Sequence, residues 1–140
     1  MNQPKILVVD DDKEIVGAIK KRLEMEDYEI ITAYDGLEAM DVLMEQEVQL
    51  LIIDVMMPKM DGWEVVKEIR KVSKVPIIML TAKDQEQDEL LGFELGVDEY
   101  ISKPFSPKIL VARVEAIFRR TGQDAGNDVL SAGGIVIDKS

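Results

Sequence analysis

The sequence predicts an α/β fold: a five-stranded, doubly wound parallel sheet with helices on both faces. Three observations carry that expectation. Strand-like and helix-like hydrophobic patterns alternate as far as Arg120, the mark of β-then-α units with right-handed crossovers. The strand-like runs are short and continuously apolar, as strands covered on both faces are. Three of those runs lead directly into a carboxylate or a hydroxyl, and a fourth is followed by a lysine. In a parallel sheet all four ends fall on one edge, where open α/β sheets place their chemistry. Five strands favour the flavodoxin-like order, 2-1-3-4-5, although periodicity alone leaves the order open.

Lys5–Val9 reads as a buried strand running into Asp10, Asp11 and Asp12. Asp12 suits a helix N-cap at the positive end of the helix dipole. The helix after it places Val16, Ile19 and Leu23 on one face. Glu29–Ala33 is the second strand, and Gly36 opens a helix with Ala39, Met40, Leu43 and Met44 inward. Leu50–Ile53 is the most apolar strand and runs into Asp54. Met57–Gly62 is a loop punctuated by proline and glycine. Trp63–Lys71 is helical, Pro76–Leu80 is a strand running into Thr81, and Gln85–Leu95 is a helix with Gly96 as its C′ cap. Glu99–Ile101, followed by Ser102 and Lys103, is the fifth strand, and Ser106–Arg120 the last helix. Residues 121–128 are polar and glycine-rich and read as a linker. Residues 129–140 hold two apolar pieces around Gly133-Gly134, like the start of a second β element.

Composition narrows the chemistry. The chain has 140 residues, enough for one domain with a short extension, and 46% of them are hydrophobic. Its net charge of −11 repels DNA phosphates and anionic lipid. There is no cysteine, which excludes disulfides and thiolate sites. There is no histidine, which removes the commonest general base and transition-metal ligand. Any metal must therefore be held by oxygens, with Mg2+, Ca2+ or Mn2+ as candidates. No run reaches the roughly 18 apolar residues of a membrane span, and no charged leader precedes an apolar stretch, so the expected setting is the cytoplasm.

Asp10, Asp11 and Asp54 would meet at adjacent strand ends, where three carboxylates repel unless a cation sits between them. Most surface aspartates are merely solvated, but Asp54 leaves a buried strand, where a lone acid is costly. Mg2+ suits such a site because it binds through one or two carboxylates and leaves room for phosphate oxygens. Lys103 offers a point charge to a phosphoryl oxygen and Thr81 one hydrogen bond. A carboxylate can carry a phosphoryl group as an acyl phosphate, stabilised by metal and cations without an acid–base histidine. Asp54 is the nucleophile candidate, on the central and most apolar run. Ala82, after Thr81, leaves space for an incoming phosphodonor or simply ends a strand.

Four segments together resemble a response regulator receiver domain: Lys5-Ile-Leu-Val-Val-Asp-Asp-Asp, Ile53-Asp-Val-Met-Met-Pro-Lys-Met-Asp-Gly62, Leu80-Thr-Ala and Lys103-Pro-Phe. The resemblance spans residues 4–120. The stretch from Gly96 to Pro107, with Leu110-Val-Ala-Arg-Val, is similar to receivers that precede a winged-helix DNA-binding domain, and residues 129–140 resemble the opening strands of that effector. The resemblance implies roles. Asp54 is the phosphoacceptor. Asp11 is a metal ligand, Asp10 orients metal-bound water, and the backbone carbonyl of Met56 is the third protein ligand. Lys103 is the phosphate-bound lysine, with a cis bond before Pro104. Thr81 is the switch hydroxyl and Tyr100 the switch aromatic.

On that resemblance the phosphodonor is a sensor histidine kinase, and the cofactor is Mg2+ or, alternatively, Mn2+. Phosphorylation adds about −1.5 to −2 of charge, draws Thr81 toward it and lets Tyr100 turn inward. The face made by the fourth helix, fifth strand and fifth helix then changes. That face carries Lys83, Asp84, Glu89, Asp98, Glu99, Arg113, Glu115, Arg119 and Arg120. A mixed charge run is commonly a solvated helix face. In the winged-helix branch such residues make a symmetric homodimer held by salt bridges, and a twofold contact pairs a patch with its own copy. DNA is expected only through the missing effector, and no membrane partner is expected. The chain is expected to assist its own phosphorylation and dephosphorylation without being a turnover enzyme. Three other readings compete. An aspartyl phosphohydrolase fits the spacing of Asp10 and Asp12, but not the order of lysine and threonine nor the missing cap region. A flavin or nucleotide domain lacks a glycine-rich phosphate loop after the first strand. A stand-alone receiver is at odds with the tail after Arg120.

Overall fold

The computed structural model describes residues 3–57, 60–81 and 96–121. The chain divides into two compact units, Met1–Pro107 and Lys108–Ser140. The first unit holds five parallel strands: β1 (Lys5–Val9), β2 (Glu29–Ala33), β3 (Leu50–Asp54), β4 (Ile77–Thr81) and β5 (Glu99–Ser102). Their order is β2-β1-β3-β4-β5, the flavodoxin-like order. Three described helices lie between them: α1 (Lys13–Glu24), α2 (Gly36–Glu45) and α3 (Gly62–Arg70). The described part of the second unit belongs to the C-terminal helix, Pro107–Thr121, which buries Leu110, Val111, Val114, Ile117 and Phe118.

β3 is the central strand, and every residue from Leu50 to Asp54 is buried. Alternation along the strands separates two faces. Leu7, Val9, Leu51, Ile53, Ile77 and Met79 join Ala39 of α2 and Val65, Val66 and Ile69 of α3 in one core cluster. Ile6, Val8, Ile52, Ile78 and Leu80 point to the opposite face. The buried stripe of α1 (Val16, Ile19 and Leu23) stays outside that cluster, so α1 covers the opposite face.

The starts of α1, α2 and α3 are fixed by acids. Asp12 caps α1, accepting from the backbone N–H groups of Glu14 and Ile15. Asp35 caps α2 through Glu38 N–H. Asp61 and Glu64 form a reciprocal capping box at α3. Gly96 has φ of +74°, the left-handed conformation that glycine adopts without cost.

The elements differ from the sequence reading in small ways. Asp54 and Thr81 are the last residues of their strands rather than residues beyond them. Thr121, assigned to the linker, is the last residue of the C-terminal helix. Met44, expected inside, is 70% exposed. The buried side of α2 runs through Gly36 and Ala39, and Met44 lies a residue past Leu43, turned about 100° off that stripe. The helical pattern Gln85–Leu95, residues Pro58, Lys59, Ala82, Lys83, Asp84 and Glu89, the linker beyond Thr121 and the segment 129–140 lie outside the described residues.

Candidate functional site

Parallel pairing brings the carboxyl ends of β1, β3, β4 and β5 to one edge. Asp54 is level with Leu80, and Thr81 with Ser102. Asp10 follows β1 directly and is completely buried, while Asp11 is exposed. Each of Asp10, Asp11 and Asp54 offers one carboxylate oxygen, and the three oxygens lie within 4.8 Å of one another. An all-oxygen set of this kind fits a hard divalent cation.

Lys103 closes the cluster. Its Nζ donates to Asp10 Oδ2 at 2.8 Å and lies 3.2 Å from Asp54 Oδ1. Asp10 Oδ1 accepts from the backbone N–H of Asp12 at 3.0 Å, so both oxygens of this buried acid are held. The peptide bond from Lys103 to Pro104 is cis.

The electrostatics follow from this crowding. Burial pushes the Asp54 carboxyl above its ordinary value, and the charges of Asp10 and, more weakly, Asp11 push the same way; Lys103 pulls it back only in part. Burial alone would lower Lys103, but its hydrogen bond to Asp10 and the charges of Asp54 and Asp10 outweigh burial and raise it. A lysine whose charge is favoured thus faces a carboxylate whose charge is not, which is the arrangement expected of an acceptor for a cation or an electrophile.

Above Asp54 opens a cavity of about 640 Å3, walled by Ile15, Ala18 and Ile19 of α1 and by Pro104 and Phe105, with Asp54, Met56 and Lys103 among its lining. Met56 is 73% exposed. Thr81 is buried. Tyr100 is half-buried, level with Met79, and packs against the core cluster on the α2–α3 face.

The charged residues expected on the dimerisation face are distributed as follows. Arg113, Arg119 and Arg120 are exposed on the C-terminal helix, and Glu115 is half-buried there. Asp98 and Glu99 lead into and begin β5. Asp98 also has a task within its own chain: its Oδ2 accepts from Ile77 N–H at 2.8 Å and lies 4.0 Å from Arg70 Nη2. Arg70 in turn donates to the carbonyls of Gly96 and Ser73. Sequence reasoning missed Arg70, and it missed Gly62, whose added Cβ would fall 2.3 Å from the Asp54 carbonyl oxygen. The Asp61-Gly62 pair marks a turn in the sequence, but the close approach crosses between elements and leaves no local pattern.

Fold and site together define a class: a doubly wound α/β domain with an acidic cluster and a facing lysine at the carboxyl edge of its sheet. The chain belongs to the response regulator receiver domain family, whose profile matches residues 6–115. Among solved structures it is similar to the receiver domain of the Francisella response regulator 1452, at 38% identity and a TM-score of 0.80, covering 85% of this chain and 99% of that one. A two-component response regulator from Clostridium difficile is 34% identical with a TM-score of 0.81, over 85% of this chain and 98% of that chain. The response regulator TrrA from Thermotoga maritima, solved in complex with Mg2+-BeF, is 38% identical with a TM-score of 0.75, over 82% and 99%.

Proposed function

We propose that Asp54 accepts a phosphoryl group from a sensor histidine kinase, with Mg2+, and that the modification switches a transcription factor of which this chain is the receiver. The observation that carries the reading is the convergence of Asp10, Asp11, Asp54 and Lys103 at one strand edge beneath an open cavity. The resemblance of the chain to a protein solved with Mg2+-BeF supports the choice of ion.

An oxygen of Asp54 attacks the phosphorus of the kinase's phosphohistidine. The O–P bond forms, the N–P bond breaks, and the imidazole leaves with that electron pair and takes a proton from solvent. Asp11, Asp54 and the carbonyl of Met56 would hold a divalent ion, with Asp10 beside them orienting its water, and the ion would supply positive charge against the phosphoryl oxygens; Mn2+ would take the same oxygen donors. Lys103 exchanges its contact with Asp54 for a phosphoryl oxygen. Thr81 donates its hydroxyl to another, and Tyr100 follows into the space it leaves. Water reverses the modification, so the domain assists its own phosphorylation and dephosphorylation and does not act as a turnover enzyme. The altered face, with Asp98, Glu99, Arg113, Glu115, Arg119 and Arg120, pairs with its own copy, and a winged-helix domain beyond the linker reads DNA. The setting is cytoplasmic.

The test is incubation with Mg2+ and a small phosphodonor, read by intact mass. Wild type is expected to gain one phosphoryl group, dependent on Mg2+, and Asp54→Ala none. Unchanged modification of Asp54→Ala would sink the assignment.

A further inference from the structure

The first turn of α3 ties the phosphoacceptor to the switch aromatic by a route that does not pass through Thr81. Gly62 donates its N–H to the Val55 carbonyl at 2.9 Å. Its missing side chain lets the helix start press against the Asp54 carbonyl, where a Cβ would fall 2.3 Å from the oxygen and 3.0 Å from Val55 Cα. The Asp61–Glu64 capping box satisfies the N–H groups at both ends of that turn and fixes its geometry. The next residue is Trp63, which is 8% exposed and belongs to the core cluster. Its ring centroid lies 6.5 Å from that of Tyr100, with the planes tilted by 49°, within the range of favourable aromatic pairs. Tyr100 is only half-buried and packs at the margin of the same cluster. A buried ring therefore abuts a half-buried one, and the buried ring follows directly on Gly62, which bonds the Val55 carbonyl and sits against that of Asp54.

We propose that Trp63 is a positioning residue for Tyr100: the indole, seated beside the end of the acceptor strand through the Gly62–Val55 bond, holds the phenol in its resting orientation. Without the indole, Tyr100 leaves that orientation in the absence of phosphorylation. The inference rests on Tyr100 being the switch aromatic, and the experiment separates the two ideas.

The protein is labelled with 3-fluorotyrosine, and the Tyr100 fluorine resonance is identified with Tyr100→Phe. Spectra are taken with and without Mg2+ and beryllofluoride for wild type, Trp63→Phe and Trp63→Leu. If the wild-type Tyr100 resonance ignores beryllofluoride, the switch reading fails and this proposal falls with it. If it moves in wild type, the resting resonance of Trp63→Leu is expected to lie part-way toward the activated position. Trp63→Phe, which keeps a smaller ring, is expected to fall between wild type and Trp63→Leu. Beryllofluoride affinity at Asp54 should rise with the pre-shift, and a loss of affinity counts against the role. A resting Tyr100 resonance at the wild-type position in both variants overturns the proposal. Should Trp63→Leu fail to fold, Trp63→Phe decides alone: a resting resonance displaced toward the activated position supports the role, and one that is unshifted or displaced the other way overturns it.

Discussion

Asp54 is held in a place that disfavours its charge. Unfolded, it titrates near 3.8; folded, burial and the neighbouring Asp10 raise that value. Below the unfolded value the carboxyl is protonated in both states and the fold keeps its full stability. As pH rises through the folded value, the buried group must ionise beside Asp10, and stability is lost. At neutral pH without metal, Asp54→Asn is therefore expected to stabilise the domain against denaturant. Urea unfolding in a chelator measures this, and the advantage over wild type should shrink as pH falls from neutral toward the unfolded value of 3.8. Saturating Mg2+ should close the gap from the other side, because it binds the folded wild type. The acidic members of this site were legible because each follows a buried run. The partners of Lys103 were less so. The sequence led us to expect a lysine facing phosphate, and at rest it already bridges Asp10 and Asp54, a pairing between residues far apart in the chain.

At the scale of elements, the strands and helices were readable because period-two and period-3.6 patterns are local properties of the chain. Val16, Ile19 and Leu23 of α1 are all buried, as their spacing requires. Met44 was misplaced because adjacent apolar positions define a stripe ambiguously, and only packing decides which flank is covered. The seating of α3 was invisible for a related reason, since a distance between Gly62 and Asp54 has no sequence signature. Gly62→Ala is expected to destabilise the domain by about 1–3 kcal/mol, the usual cost of forcing atoms into a filled space. The same substitution should slow modification of Asp54, because the helix start and the acceptor backbone must part. Denaturant melts and a phosphorylation time course on the one variant check both.

For the whole molecule, a net charge of −11 sets the terms of any self-association. Two such chains repel at long range, so a twofold contact must use local pairing of opposite signs. With Mg2+ and beryllofluoride, sedimentation should show dimers that weaken as salt rises. An exposed ion pair contributes about 0.2–1 kcal/mol and a twofold axis repeats it, so Arg113→Glu should weaken the dimer about tenfold. The strand order was left open by periodicity and is set by pairing between distant segments. That pairing has one more result. Asp54 shares its cavity with α1, on one side of the sheet, whereas Tyr100 packs with α2 and α3 on the other. The sheet is thus a partition with a writer's room and a reader's room. On the function proposed above, a mark made from the α1 side would be registered by Tyr100 on the other, so the donor and whatever consults Tyr100 would approach from different sides.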